Sequence, residues 1–341
     1  MLRTLIRAAE TTGDTHVRDA VHAGTTWLVD RIGRDPNPLP GLYFGRAGTA
    51  VALYEAGRLL DSDTFREAGC SLLDQVPGEW PNPDVAHGVA GAGFASLLLW
   101  SASGQPGFGE RVRGCATHLM ERAERRNGML VWPIPDDFDS HLAGVIDYGY
   151  AHGTAGIADF LLAAGIRCQE PAWIAMAHEA ADTLHHCAVD TEAGALWPVG
   201  PRAPHQLLDY WCSGSAGVGT FLLRMLQHSN DTATLRWPER AAEAVWRRRW
   251  AAGSSQCHGL AGAGELLLDL ADHTADERYR RYADDMAAAL VARAGMYRGR
   301  LLAPDETGTG FSASYGVGVA GWVDFLLRLR YGGPRSWAAM P

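Results

Sequence analysis

The chain has 341 residues, a length that suits one large domain or two ordinary ones, and its 47% hydrophobic and 20% charged residues are those of a globular protein. The net charge is −9, and all 30 basic residues are arginine, which argues against a basic nucleic-acid stripe and excludes a Schiff-base or P-loop lysine. No apolar run approaches the roughly 18 residues that span a bilayer, and the first residues lack the apolar core of a signal peptide, so the expected location is cytoplasmic.

One short motif, Gly-x-Ala-Gly, recurs six times along the chain. After an amphipathic helix over VRDAVHAGTTWLVDRI, GRAG at 45–48 opens the apolar stretch TAVALYEAGRLL. TFREAGCSLLDQV follows with a charged face, then GVAG at 88–91 opens AGFASLLLW. GERVRGCATHLMERAERR leads into residues 126–150, rich in Trp, Pro and Asp, which read as a long loop with room for a short β-hairpin. GTAG at 153–156 opens IADFLLAAG, followed by PAWIAMAHEAADTLHHCA and a second long loop at 189–211. GSAG at 214–217 opens VGTFLLRML, and WPERAAEAVWRRRW separates it from GLAG at 259–262 with AGELLLDL. DERYRRYADDMAAALVARA and a third loop at 295–316 precede GVAG at 318–321 and WVDFLLRL.

The stretches behind the motifs are apolar on most sides and read as buried helices, whereas the segments between them carry one apolar stripe and read as outer helices. Alternation of the two predicts an all-α fold, an α/α toroid of six helix pairs in one domain over residues 1–341. An open α-solenoid is the competing arrangement. The glycines are expected to permit close backbone approach and to leave free N–H groups at the mouth. Cys70, Cys115, Cys168 and Cys187 fall inside helical patterns and are expected to be small buried residues.

The residues just before each motif carry the chemistry. The fourth motif follows Trp211-Cys212-Ser213 and the fifth follows Gln256-Cys257-His258. A toroid brings corresponding positions of successive repeats together, so two cysteines and a histidine face one another. Thiolates and an imidazole are good zinc ligands, and three of them leave the fourth tetrahedral position open, as a catalytic site requires. The spacing alone equally allows buried cysteines beside a capping histidine.

The segments WCSGSAG, CHGLAG and AHGTAG resemble the signature segments of the lanthionine synthetase C-like family, and the resemblance covers roughly residues 40 to 331. It implies an α/α toroid, often of seven repeats, with Zn2+ held by Cys212, Cys257 and His258. It implies acid–base work for His152 and a site role for Asp84, whose other reading is a helix cap. The implied substrate is a precursor peptide, already dehydrated by a separate or fused kinase or lyase. Its cysteine thiols would add to dehydroalanine or dehydrobutyrine to form thioether rings. Stand-alone members place an arginine four residues before the first zinc cysteine and a tyrosine just after it, where this chain has Leu208 and Ser213. The N-terminal region and GLYFGRAG are closer in style to the cyclase domains of single-chain synthetases.

Further candidates surround this set. His87 occupies the place of His152 in repeat two. Asp147, Tyr148 and Tyr150 could orient His152, and Trp132, Trp197 and Trp211 could line a peptide groove. A non-catalytic peptide-binding module is one alternative, and glutathione addition at the same site another. An α/α-toroid glycoside hydrolase would draw on Asp84, Asp136, Asp137, Asp139 and Asp147 but gives the Cys/Cys/His set no role.

Overall fold

The computed structural model describes residues 1–34, 39–229, 235–305 and 310–337, so residues 306–309 of the third long loop lie outside the described residues. The helices described form two layers. The inner layer consists of α1 (Leu2–Thr12), α3 (Arg46–Leu60), α5 (Val89–Ser103), α7 (Thr154–Cys168), α9 (Ser215–Ser229), α11 (Leu260–Thr274) and α13 (Val319–Tyr331). The outer layer consists of α2 (Thr15–Ile32), α4 (Asp63–Asp74), α6 (Pro106–Glu121), α8 (Pro171–Cys187), α10 (Arg236–Arg248) and α12 (Glu277–Arg293). Each inner helix packs on the next, and α1 packs on both α13 and α3, which closes the ring into the expected toroid.

The two layers bury different surfaces. In α7 every residue from Thr154 to Gly165 is buried, whereas α6 buries Phe108, Val112, Cys115, Ala116 and Leu119, one stripe at helical spacing. Helix α1 fills a seventh inner position and was not visible as a repeat, because it lacks the glycine motif. Its signal is Leu2, Ile6 and Ala9, spaced at one helical face and all buried.

The motif has a steric cause. A Cβ on Gly153 would lie 1.8 Å from the carbonyl oxygen of Asp147, and one on Gly156 would lie 1.9 Å from that of Tyr150. In all six repeats both glycines abut the carbonyl six residues earlier, so the preceding loop folds flat against the helix start. The helix N–H groups are therefore not free, contrary to expectation. Thr154 and Ala155 donate to the carbonyls of Asp147 and Tyr148, and Val89 donates to that of Asn82, so the loop caps the helix with its own backbone.

All three long loops begin as β-hairpins. Strands β1 (Glu124–Arg126) and β2 (Met129–Val131) pair antiparallel, as do β6 (Gly295–Tyr297) and β7 (Arg300–Leu302). Their turns, Asn127-Gly128 and Arg298-Gly299, have positive φ at both central residues, as a type I′ turn requires. The second loop forms β3 (Val189–Thr191), β4 (Gly194–Pro198) and β5 (Leu207–Leu208) in one antiparallel sheet. Trp132 and Trp197 do not line a groove. Each is buried and donates its indole N–H 2.7 Å to a carbonyl of the preceding outer helix, at Leu119 and Leu184 respectively. Among the described residues, no helix is long and apolar enough to cross a membrane, and none of the six cysteines forms a disulfide.

Candidate metal centre and acid–base pair

Backbone hydrogen bonds stitch the turns before the motifs into a continuous arc. Cys257 N–H donates to Gly316 O, Cys212 N–H to Cys257 O, Ala151 N–H to Cys212 O, and Val85 and Ala86 N–H to Ala151 O. These residues stand at one register. Two places before the first motif glycine are Tyr43, Ala86, Ala151, Cys212, Cys257 and Gly316. One place before it are Phe44, His87, His152, Ser213, His258 and Val317. Side chains 43 to 65 residues apart in sequence thus become neighbours around the mouth.

At repeats four and five this register unites Cys212, Cys257 and His258, one donor atom from each lying within 4.8 Å of the others. Both cysteines are buried, and the His258 ring meets Tyr210 edge-on at 5.3 Å. The Cys212 thiol is pushed well below its usual range. Hydrogen bonding from Cys257 is the main cause; burial opposes it, and His258 and His152 add to it. The set fits zinc, whose bonds of roughly 2.0–2.3 Å to nitrogen and sulfur place tetrahedral ligands somewhat under 4 Å apart. Cys257 also forms part of the wall of a cavity of about 560 Å³, so the cluster opens on space that a ligand can enter.

Repeats two and three build the other side of the mouth. Asp84 is fully buried, and its Oδ1 accepts the His87 N–H at 2.6 Å. Its Oδ2 accepts from Asn82 Nδ2 at 3.1 Å and lies 2.9 Å from His152 Nδ1. The N-cap of α5 is Gly88, so the Asp84 side chain does not cap that helix, although its carbonyl accepts the Gly91 N–H at 3.3 Å; the carboxylate braces the turn and orients the imidazole. Burial raises the Asp84 pKa, but the hydrogen bonds from His152 and His87 outweigh this and hold it well below the usual carboxylate range. Burial likewise opposes charge on His152, but the hydrogen bond and charge of Asp84 prevail and push its pKa up to about 9. With Nδ1 committed to Asp84, Nε2 is the atom left for other chemistry. His87 stacks between Phe44, at 4.9 Å, and His152, at 5.2 Å.

Asp147 reaches this site through Ser213, whose hydroxyl donates to it at 2.7 Å; burial, countered by this bond and by the Gly149 N–H, pushes its pKa up to about 6. Tyr148 and Tyr150 do not orient His152. Tyr148 turns outward to Met129 and Cys187, and Tyr150 donates to Asp159 in the lumen beside Arg224. Leu208 lies in β5, paired with Trp197. Asp136 sits beside Gly144 and Arg202, and neither it nor Asp137 nor Asp139 lines the cavity.

The lumen holds charges that the motif analysis missed. Arg224 pairs with Asp159, Arg328 with Glu265 and Asp269, and Arg335 from the segment after α13 with Asp269. For all but Arg335 the signal was available, as charged residues inside otherwise apolar helices. Removing one partner of a buried arginine–carboxylate pair of this kind is strongly destabilising, because it leaves the other charge uncompensated.

A closed α/α toroid with a Cys/Cys/His cluster and a His–Asp pair at its mouth defines the class. The profile of the lanthionine synthetase C-like proteins matches residues 1–341, and the chain belongs to that family. Among solved structures, nisin cyclase is similar, with a TM-score of 0.78 at 17% identity over 98% of this chain and 89% of that one. An unsaturated glucuronyl hydrolase from Bacillus sp. GL1 gives 0.56 at 14% identity, over 86% and 88% of the two chains. A D-mannose isomerase gives 0.51 at 17% identity, over 72% and 73%. At these identities the likeness is one of fold. No curated protein matches the sequence.

Proposed function

We propose that this protein is a zinc-dependent lanthipeptide cyclase, a single toroid domain over residues 1–341 acting on a dehydrated precursor peptide. The observation that carries the reading is the convergence of Cys212, Cys257 and His258 beside the His152–Asp84 pair, with Cys257 and His152 lining one cavity. Cys212, Cys257 and His258 would hold the zinc, which would supply thiol activation at neutral pH.

The remaining work falls to the chain itself. Addition of a peptide thiolate to the β-carbon of a dehydro residue forms the C–S bond and leaves an enolate, which needs a proton at the α-carbon. His152 carries that proton: Asp84 fixes its Nδ1, keeps it charged near neutrality and leaves Nε2 to donate. Ser213 and Asp147 brace the turn that bears Cys212. Dehydration of serine or threonine falls to a separate or fused kinase or lyase, since a toroid of this length has no room for one. Cytoplasmic residence suits six cysteines that form no disulfide among the described residues.

The test gives the zinc-loaded protein a dehydrated precursor peptide and counts free thiols over time. Loss of thiols with the native protein and not with Cys257→Ala supports cyclisation. A second reading, a non-catalytic peptide-binding module, draws on Leu208 and Ser213 standing where stand-alone cyclases have arginine and tyrosine. Equal thiol persistence with both proteins would favour it.

A further inference from the structure

The 560 Å³ cavity is far larger than a cysteine side chain needs, and its walls are not uniform. Its inner end is formed by Cys257, His152, Tyr43 and Trp211. From there it runs to the N-terminal helix pair, where Leu2 and Leu5 of α1 and Trp27 and Leu28 of α2 form the wall together with Phe44. At this end Trp27 and Phe44 are 56% and 44% exposed, so the rim faces solvent. No carboxylate among the described residues lines the cavity. Arg3, the one arginine in its wall, is held by Glu55 at 2.6 and 2.5 Å and lies over the Trp337 ring.

A peptide whose cysteine reaches the Cys212–Cys257–His258 cluster must place its neighbouring residues along this wall, because the wall is continuous with the cluster. We propose that the cavity is a subsite for an apolar side chain, leucine- or phenylalanine-like, next to the reacting cysteine of the substrate peptide. The volume lies within the range of sites that bury small ligands, and an aromatic and aliphatic wall whose cationic side chains, Arg3 and His152, are already paired with Glu55 and Asp84 rewards apolar contact over a carboxylate. The N-terminal helix pair α1–α2, which carries no Gly-x-Ala-Gly motif, thereby gains a role in substrate choice. The inference rests on the cyclase reading for its occupant.

Two synthetic hexapeptides, identical except for Phe or Asp beside a single cysteine, are titrated calorimetrically into the zinc-loaded protein. The Phe peptide should bind at least about tenfold more tightly, the scale expected from burying one large apolar side chain. Gly24→Leu grows a side chain into the cavity beside Leu2 and favours the α2 helix, so this variant should fold. It and Leu28→Asp should bring the ratio close to one. Equal binding of the two peptides by the native protein, or an unchanged ratio in both variants, overturns the subsite. Replacing the peptide cysteine by serine separates the two ideas: the preference for Phe persists if the subsite is real. When the same peptides are made with a dehydroalanine in addition to the cysteine, failure of every one to lose thiols speaks against cyclisation alone.

Discussion

The two sides of the mouth share one backbone and differ in chemistry. Repeats four and five present Cys212, Cys257 and His258, while repeats two and three present His87 and His152 over Asp84, all from one stitched register. On the cysteine side the thiol is pushed toward its anion; on the histidine side the imidazole is pushed toward its cation. The comparison teaches that the repeat supplies position and the residue types supply function. His258 and His152 stand at the same place in their repeats, yet one has sulfur neighbours and the other a buried carboxylate.

The comparison can be broken from either side. The largest effect is expected from Cys257→Ala, which removes a ligand and should lower both zinc content and thiol consumption by roughly a hundredfold or more. His152→Gln should keep the zinc and lose roughly 10²–10⁴ in rate, the scale of a general acid. If His152→Gln also lost the metal, the division between the two sides would be wrong.

Asp84→Asn sharpens the histidine side. It should bring the His152 pKa from about 9 back toward its ordinary value, read by NMR titration of the ring. Stability of the metal-free protein follows with a defined sign. A raised histidine pKa contributes stability that is fully present below about 6.5 and lost as pH rises through about 9. Asp84→Asn should flatten the decline between those values, and an unchanged decline assigns it to other groups. The smallest effect concerns the frame: Gly153→Ala should cost about 1–3 kcal/mol in denaturant unfolding, because its Cβ meets the Asp147 carbonyl. A neutral result would show that the loop can yield.

Much of this was legible in the sequence. Glycine pairs at the start of apolar stretches marked six inner helices, and the residues before motifs four and five marked the cluster. What escaped was long-range. Helix α1 packs as an inner helix without the motif, so its place depends on closure of the ring by α13 and α3. The N–H groups expected to be free are capped by the loop carbonyls that make the glycines necessary. By sequence Trp132 and Trp197 are open to either a groove or a packing role; they pack, and a loop sequence does not reveal that its indole reaches back to the preceding helix.

Zinc content is the most direct test of the central claim. Metal analysis after zinc loading and desalting should give about one zinc per native chain and almost none for Cys212→Ala with native helicity. A native protein without zinc, or a variant that keeps it, would contradict the assignment of Cys212, Cys257 and His258.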